Sequence, residues 1–141
     1  MLFGSLGCIG IANGGSGLVY IFTYSTATML WSEQGILRGN DTVKRAAFGQ
    51  SIAADPNFLV VGAPQDSNYN NLGLAYVFRP STQPDAIGGW ILFDTLIADI
   101  PVFPAGIQVV PSGNQPSGTF GFAVAIDNGV IVVGDPTNSK S

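Results

Sequence analysis

Asp66-Ser67-Asn68-Tyr69-Asn70 places oxygen-bearing side chains at i, i+2 and i+4, the spacing with which a loop can begin to enclose a hard cation. A calcium loop of that kind also needs a glycine at its sixth position and an acidic residue at its twelfth, where this sequence has Asn71 and Val77. Asn and Asp at this density are ordinary turn formers. The stretch therefore reads as a loop that offers Asp66, Asn68, Tyr69 and Asn70 to a ligand, and no metal is expected in it. Tyr69 is of the type enriched at binding hot spots, and Phe103, in a second long connection, is a further candidate.

Catalytic chemistry finds little material. The sequence has no histidine, which excludes a Ser-His-Asp triad or a His-ligated zinc in these residues. Nine acidic residues are present, of which Asp94 and Asp99 stand nearest each other in a strand-bearing region, and nothing pairs them for acid–base work. Cys8 is the single cysteine and forms no intrachain disulfide; a small buried hydrophobe is its ordinary role. The chain is read as non-enzymatic and without a cofactor.

Composition narrows the partners. Charged residues make up 10% of the 141 positions and the net charge is −4. The five basic residues, Arg38, Lys44, Arg45, Arg79 and Lys140, form no stripe, so neither nucleic acid nor an anionic membrane is an expected partner. No apolar run reaches the ~18 residues of a membrane helix. Met1 to Asn13 is apolar but lacks a basic start and is dotted with glycine, so it reads as the tail of an earlier repeat rather than a signal peptide. Leu2-Phe3-Gly4-Ser5 there corresponds to Val60-Val61-Gly62-Ala63. Asn40-Asp41-Thr42 is a glycosylation triplet in a connection.

The elements that must position these loops are announced by an internal repeat. Phe48-Gly49-Gln50-Ser51-Ile52-Ala53 precedes Val60-Val61-Gly62-Ala63-Pro64, and Phe120-Gly121-Phe122-Ala123-Val124-Ala125 precedes Val132-Val133-Gly134-Asp135-Pro136; the interval from Gly49 to Gly62 equals that from Gly121 to Gly134. Gly17-Leu18-Val19-Tyr20-Ile21-Phe22 returns as Gly73-Leu74-Ala75-Tyr76-Val77-Phe78. The second unit is lengthened mainly by the Pro-rich stretch Asp99 to Thr119, which belongs in a loop.

Each complete unit divides into four strand-sized runs, A to D: Phe48–Ala54, Phe58–Ala63, Gly73–Arg79 and Trp90–Ala98. Run B, Phe58-Leu59-Val60-Val61, does not alternate, and neither does Val130-Ile131-Val132-Val133, so both are expected to be covered on two faces. Pro64 and Pro136 should end their strands, and Trp31 and Trp90 should pack between sheets. Stacked four-stranded antiparallel sheets of this kind are the blades of a β-propeller. The fold class is all-β, with about two and a quarter blades: a partial blade over 1–38, a complete one over 48–98 and a partial one over 120–141.

At these residues the sequence resembles the FG-GAP repeat of the integrin α-subunit propeller and of many secreted proteins. The resemblance rests on Phe-Gly, Gly-Ala-Pro, Gly-x-x-Tyr-Val-Phe and a following Trp, and it covers nearly the whole chain. It implies a propeller of about seven blades, of which this chain is a fragment whose other blades are partners. It also implies an extracellular or cell-surface setting and a binding or adhesion role toward a protein or glycan. The calcium loops that integrin-type repeats often carry between A and B are not implied, because Ala54-Asp55-Pro56-Asn57 and Asp127-Asn128-Gly129 supply too few oxygens. Two alternatives stay open: the non-catalytic propeller portion of a secreted hydrolase or lyase, and a purely structural repeat array. In an antiparallel blade the B–C and D–A connections leave from one end, so Gln65–Leu72, Gly39–Ala47 and Asp99–Thr119 are expected to share the ligand face. A blade is buried between two others, so the outer faces of the partial blades are expected to drive self-association.

Overall fold

In a computed structural model of the chain, residues 2–5, 16–39, 46–66, 72–98 and 119–136 are described. These residues form three antiparallel sheets and no helix. The first sheet has the order β1 (Leu2–Ser5), β2 (Val19–Ser25), β3 (Leu30–Leu37). The middle sheet has β4 (Ser51–Ala54), β5 (Leu59–Ala63), β6 (Leu74–Pro80) and β7 (Trp90–Ile97), and the last has β8 (Ala123–Asp127) and β9 (Val130–Gly134). The fold is that of an all-β partial propeller, and β4 to β7 form its four-stranded antiparallel sheet in the order A-B-C-D.

Packing explains the apolar runs. All five residues of β5 are buried. Leu59, Val61 and Ala63 join Tyr76, Phe78, Phe48 and Trp90 in one cluster with Val19, Ile21 and Leu37 of the first sheet. The opposite face of β5 carries Val60 and Gly62 and lies against the last sheet, where Gly62 meets the Gly121 carbonyl. Burying aliphatic and aromatic side chains of this size contributes roughly 1.5–3 kcal/mol each, so both sheet-to-sheet contacts are substantial sources of stability.

The Phe-Gly pair does not begin a strand. Ala47 (φ 57°) and Gly49 (φ 88°) take left-handed conformations, and the Gln50 N–H donates to the Ala47 carbonyl at 3.0 Å, so this stretch is a tight turn and β4 starts only at Ser51. The turn lets the Phe48 ring fold back onto Tyr76 and Phe78, with ring centroids 5.3 and 6.3 Å away. The second copy repeats it, with the Phe122 N–H donating to Thr119 at 2.9 Å.

The neighbouring sheet is tied to each turn by the same bond. Phe48 N–H donates to the Ser16 carbonyl at 2.8 Å, and Phe120 N–H to the Leu72 carbonyl at 3.0 Å. The next residues, Gly17 (φ 91°) and Gly73 (φ 81°), have their missing Cβ directed at the carbonyls of Phe48 and Phe120. Only glycine fits there. The repeat is thus a docking device: the Phe-Gly turn of one blade seats on the glycine that opens strand C of the blade before it.

The structure adds details that the sequence pattern does not carry. Strands C and D are broken by a β-bulge at equivalent places, between Ile21 and Phe22 in the first sheet and between Val77 and Phe78 in the middle one. Each bulge leaves an extra residue on strand D, Gln34 and Phe93 respectively. β1 is one residue out of the expected alignment, since Gly4 pairs with Tyr20, whereas Tyr76 pairs with Val61 rather than with Gly62. The run Val130–Val133 is covered on one face only: Val130 and Val132 are exposed while Ile131 and Val133 are partly buried. Trp31 likewise stays half exposed, whereas Trp90 is buried as expected.

Candidate binding face

The candidate face is built from the ends of strands B and D and the starts of C and A, which the antiparallel order gathers at one end of each sheet. β5 stops at Ala63 because Pro64 has no N–H for the ladder. Asp66 then turns back, its N–H donating to the Ala63 carbonyl at 3.1 Å, while the Gln65 N–H donates to the Ala46 carbonyl at 3.1 Å. The start of this B–C loop is thereby pinned to the end of the preceding D–A connection. Its far end, Leu72, receives the Phe120 N–H from the next D–A connection. In the last sheet the Asp135 carboxylate makes the corresponding tie, accepting from the Thr119 N–H at 2.9 Å and the Thr119 hydroxyl at 3.3 Å. Loop bases from neighbouring sheets are therefore joined to one another.

Asp66 itself lies inside this base. It is fully buried, and the Tyr76 hydroxyl donates to its Oδ2 at 2.9 Å. A buried carboxylate is tolerated only when it is hydrogen-bonded, so this pair fixes the loop to strand C. Asn68, Tyr69, Asn70 and Phe103 lie outside the described residues, as do Cys8 and Asn40-Asp41-Thr42. Of the five candidate ligand residues, the structure thus places Asp66 alone, at the root of the loop.

The opposite end is made of short, self-closed connections. Asp55 caps the A–B turn, its Oδ1 accepting from the N–H groups of Asn57 and Phe58, both at 2.8 Å. Its Oδ2 accepts from Gly129 N–H of the neighbouring A–B turn at 3.4 Å. The Asn57 N–H leads the causes that hold the Asp55 carboxyl below its usual range; desolvation opposes the shift, and Phe58 and Gly129 reinforce it. The C–D loop closes through Ser81 N–H to Gly89 O at 2.8 Å and an Ile87–Trp90 bridge.

One exposed constellation at this end has no signature in the sequence. The bulge residue Phe93 carries the Arg79 guanidinium 4.9 Å from its ring centroid and stacks at a tilt on Phe58 at 6.0 Å. Nothing in the spacing marks Phe93 as a bulge residue, and it is the bulge that brings the three side chains together. Among the described residues, no three His, Cys, Asp or Glu side chains converge.

Residues 31–78 match the family model described as the FG-GAP repeat, a span that runs from strand D of the first sheet through strand C of the middle one. No curated protein matches the chain. No solved structure matches it either.

Proposed function

We propose that this chain, which carries the FG-GAP repeat, is a non-catalytic β-propeller scaffold that binds a protein or glycan through its B–C and D–A loops. The observation behind this reading is the joining of loop bases: Gln65 to Ala46, Leu72 to Phe120, and Asp135 to Thr119. A rigid base under long connections is how a repeat scaffold holds a composite binding surface. FG-GAP repeat domains are generally non-catalytic. The setting that accords with the role is extracellular or cell-surface, and no helix of the described residues is long and apolar enough to cross a membrane.

A second location for the ligand is favoured by one observation, the exposed Phe93 ring with Arg79 stacked on it at the A–B and C–D end. Such a ring suits a sugar face. The two ends are separated by probing the chain against a printed panel of defined glycans and purified extracellular-matrix proteins. Tyr69→Ala, or shortening of residues 99–118, is expected to abolish the strongest signal while Phe93→Ala leaves it. Loss with Phe93→Ala alone moves the site to the other end. A chain that binds nothing on either panel contradicts the binding role and leaves a structural array.

A further inference from the structure

The A–B hairpin of the last sheet is closed by Asn128 and Gly129. Asp127 pairs with Val130, so two residues span the turn, and both take positive φ, 48° and 79°. A two-residue turn with both central residues in that region favours Asn-Gly, which accounts for the pair by geometry. The same pair carries a chemistry of its own. The Asn128 side chain has an electrophilic amide carbon, and the backbone nitrogen that follows it, that of Gly129, can close a five-membered ring on that carbon. Glycine leaves this nitrogen unshielded, and a Cβ added to Gly129 would meet no atom within 4 Å. Both residues are exposed, so water reaches the turn.

The equivalent turn of the middle sheet is built differently. There Asn57 precedes Phe58, whose N–H is held by Asp55 Oδ1 at 2.8 Å. The second oxygen of Asp55 reaches across to the last sheet and accepts from the Gly129 N–H at 3.4 Å. The nitrogen that must attack is therefore held by a carboxylate of the neighbouring sheet. At that length the hydrogen bond is weak, a brake on the reaction rather than a block. Asp127 Oδ1 accepts from Asn128 Nδ2 at 3.2 Å, so two carboxylates already stand at this turn.

We propose that Asn128 is a site of spontaneous deamidation and that Asp55 sets its rate. The Gly129 nitrogen gives up its proton and bonds to Asn128 Cγ; the Cγ–Nδ2 bond breaks, and ammonia leaves with that proton to give a succinimide. One water then opens the ring at either carbonyl, to aspartate or to isoaspartate. The net reaction consumes one water and releases one ammonia. Asp55 opposes the first step, because its negative charge holds the Gly129 proton in place and disfavours an anion on that nitrogen. The product alters the fold locally. Isoaspartate adds a backbone carbon to a turn whose length fixes the Asp127–Val130 register, and either product sets a third carboxylate beside Asp55 and Asp127. Deamidation thus loosens the contact between the two A–B turns, and it stands independently of the ligand proposal.

The test is incubation of the folded 141-residue chain in mildly alkaline buffer, followed by peptide mapping with mass spectrometry and enzymatic methylation of isoaspartate. Mapping separates Asn128 from Asn13-Gly14, the other such pair in the sequence, which lies outside the described residues. Asn128 is expected to convert while Asn57 stays intact. Asp55→Asn keeps an oxygen for the Asn57 and Phe58 N–H groups and replaces the second oxygen by an amide donor. The new asparagine is followed by Pro56, which has no N–H to give up for ring closure. This variant is expected to convert Asn128 several-fold faster than the wild type. Circular dichroism verifies that its strands are kept, and Asp55→Ser replaces it if they are not. An Asn128 that stays intact in the folded wild type, after the same residue has converted in urea-unfolded chain, overturns the site. A rate in the variant no higher than in the wild type overturns the role of Asp55.

Discussion

Gly62 of β5 lies against the carbonyl oxygen of Gly121 so closely that no side-chain carbon fits between them, and Ser51 Oγ donates to that same oxygen at 2.8 Å. The glycine before the Ala-Pro or Asp-Pro pair is therefore a contact point between neighbouring sheets. Its counterpart Gly134 has room for a side chain at ordinary van der Waals distance, an added Cβ finding its nearest atom, Ala123 Cβ, at 3.4 Å. Gly62→Ala is expected to destabilise the chain by about 1–3 kcal/mol, the usual range for overpacking, and Gly134→Ala by no more than a few tenths. Urea unfolding midpoints of the two variants check this; equal losses contradict the assignment of Gly62 to the contact.

The Tyr76 hydroxyl donates to the buried Asp66 carboxylate at 2.9 Å. Tyr76→Phe keeps the ring beside Phe48 and removes only that donor. A loss of about 1–3 kcal/mol is expected, the range for weakening the partnership of a buried polar group. Unchanged thermal stability in Tyr76→Phe would show that the pair does not anchor the loop.

Asp55 predicts a pH dependence. Its folded-state pKa is lowered, chiefly by the Asn57 N–H, so its stabilising contribution is complete above the unfolded value of about 3.9 and is lost as pH falls through the folded value. The stability gap between wild type and Asp55→Ala should then shrink on acidification below about pH 4. A gap that widens in acid reverses the sign and removes Asp55 as the turn's charged cap.

Much of the architecture was legible because the repeat serves geometry that few residues satisfy. Gly17 and Gly73 must admit a carbonyl and take positive φ, and Gly62 must admit the Gly121 carbonyl; such positions keep their spacing from one copy to the next. Strand identities followed from runs such as Leu59–Ala63. What stayed hidden depends on neighbours that spacing does not encode. The Phe-Gly pair looks like the start of a strand until Ala47 and Gly49 are seen to turn. The bulge beside Val77 adds Phe93 to strand D without a change in residue type. Val130–Val133 carries the same apolar signal as Leu59–Ala63, yet only one of its faces is covered. Asp66 read as a loop residue facing a ligand, and a hydroxyl on strand C draws it inside.

The Phe-Gly turn docks each sheet onto the one before it, through Phe48 N–H to the Ser16 carbonyl and Phe120 N–H to the Leu72 carbonyl. Native-state hydrogen exchange on these two amides tests this docking most directly. Both are expected to exchange as slowly as the buried amides of β5, far more slowly than the exposed turn amide of Asn128. Exchange of Phe48 and Phe120 at the rate of that turn, with β5 still protected, would show sheets that fold without docking through the Phe-Gly turn.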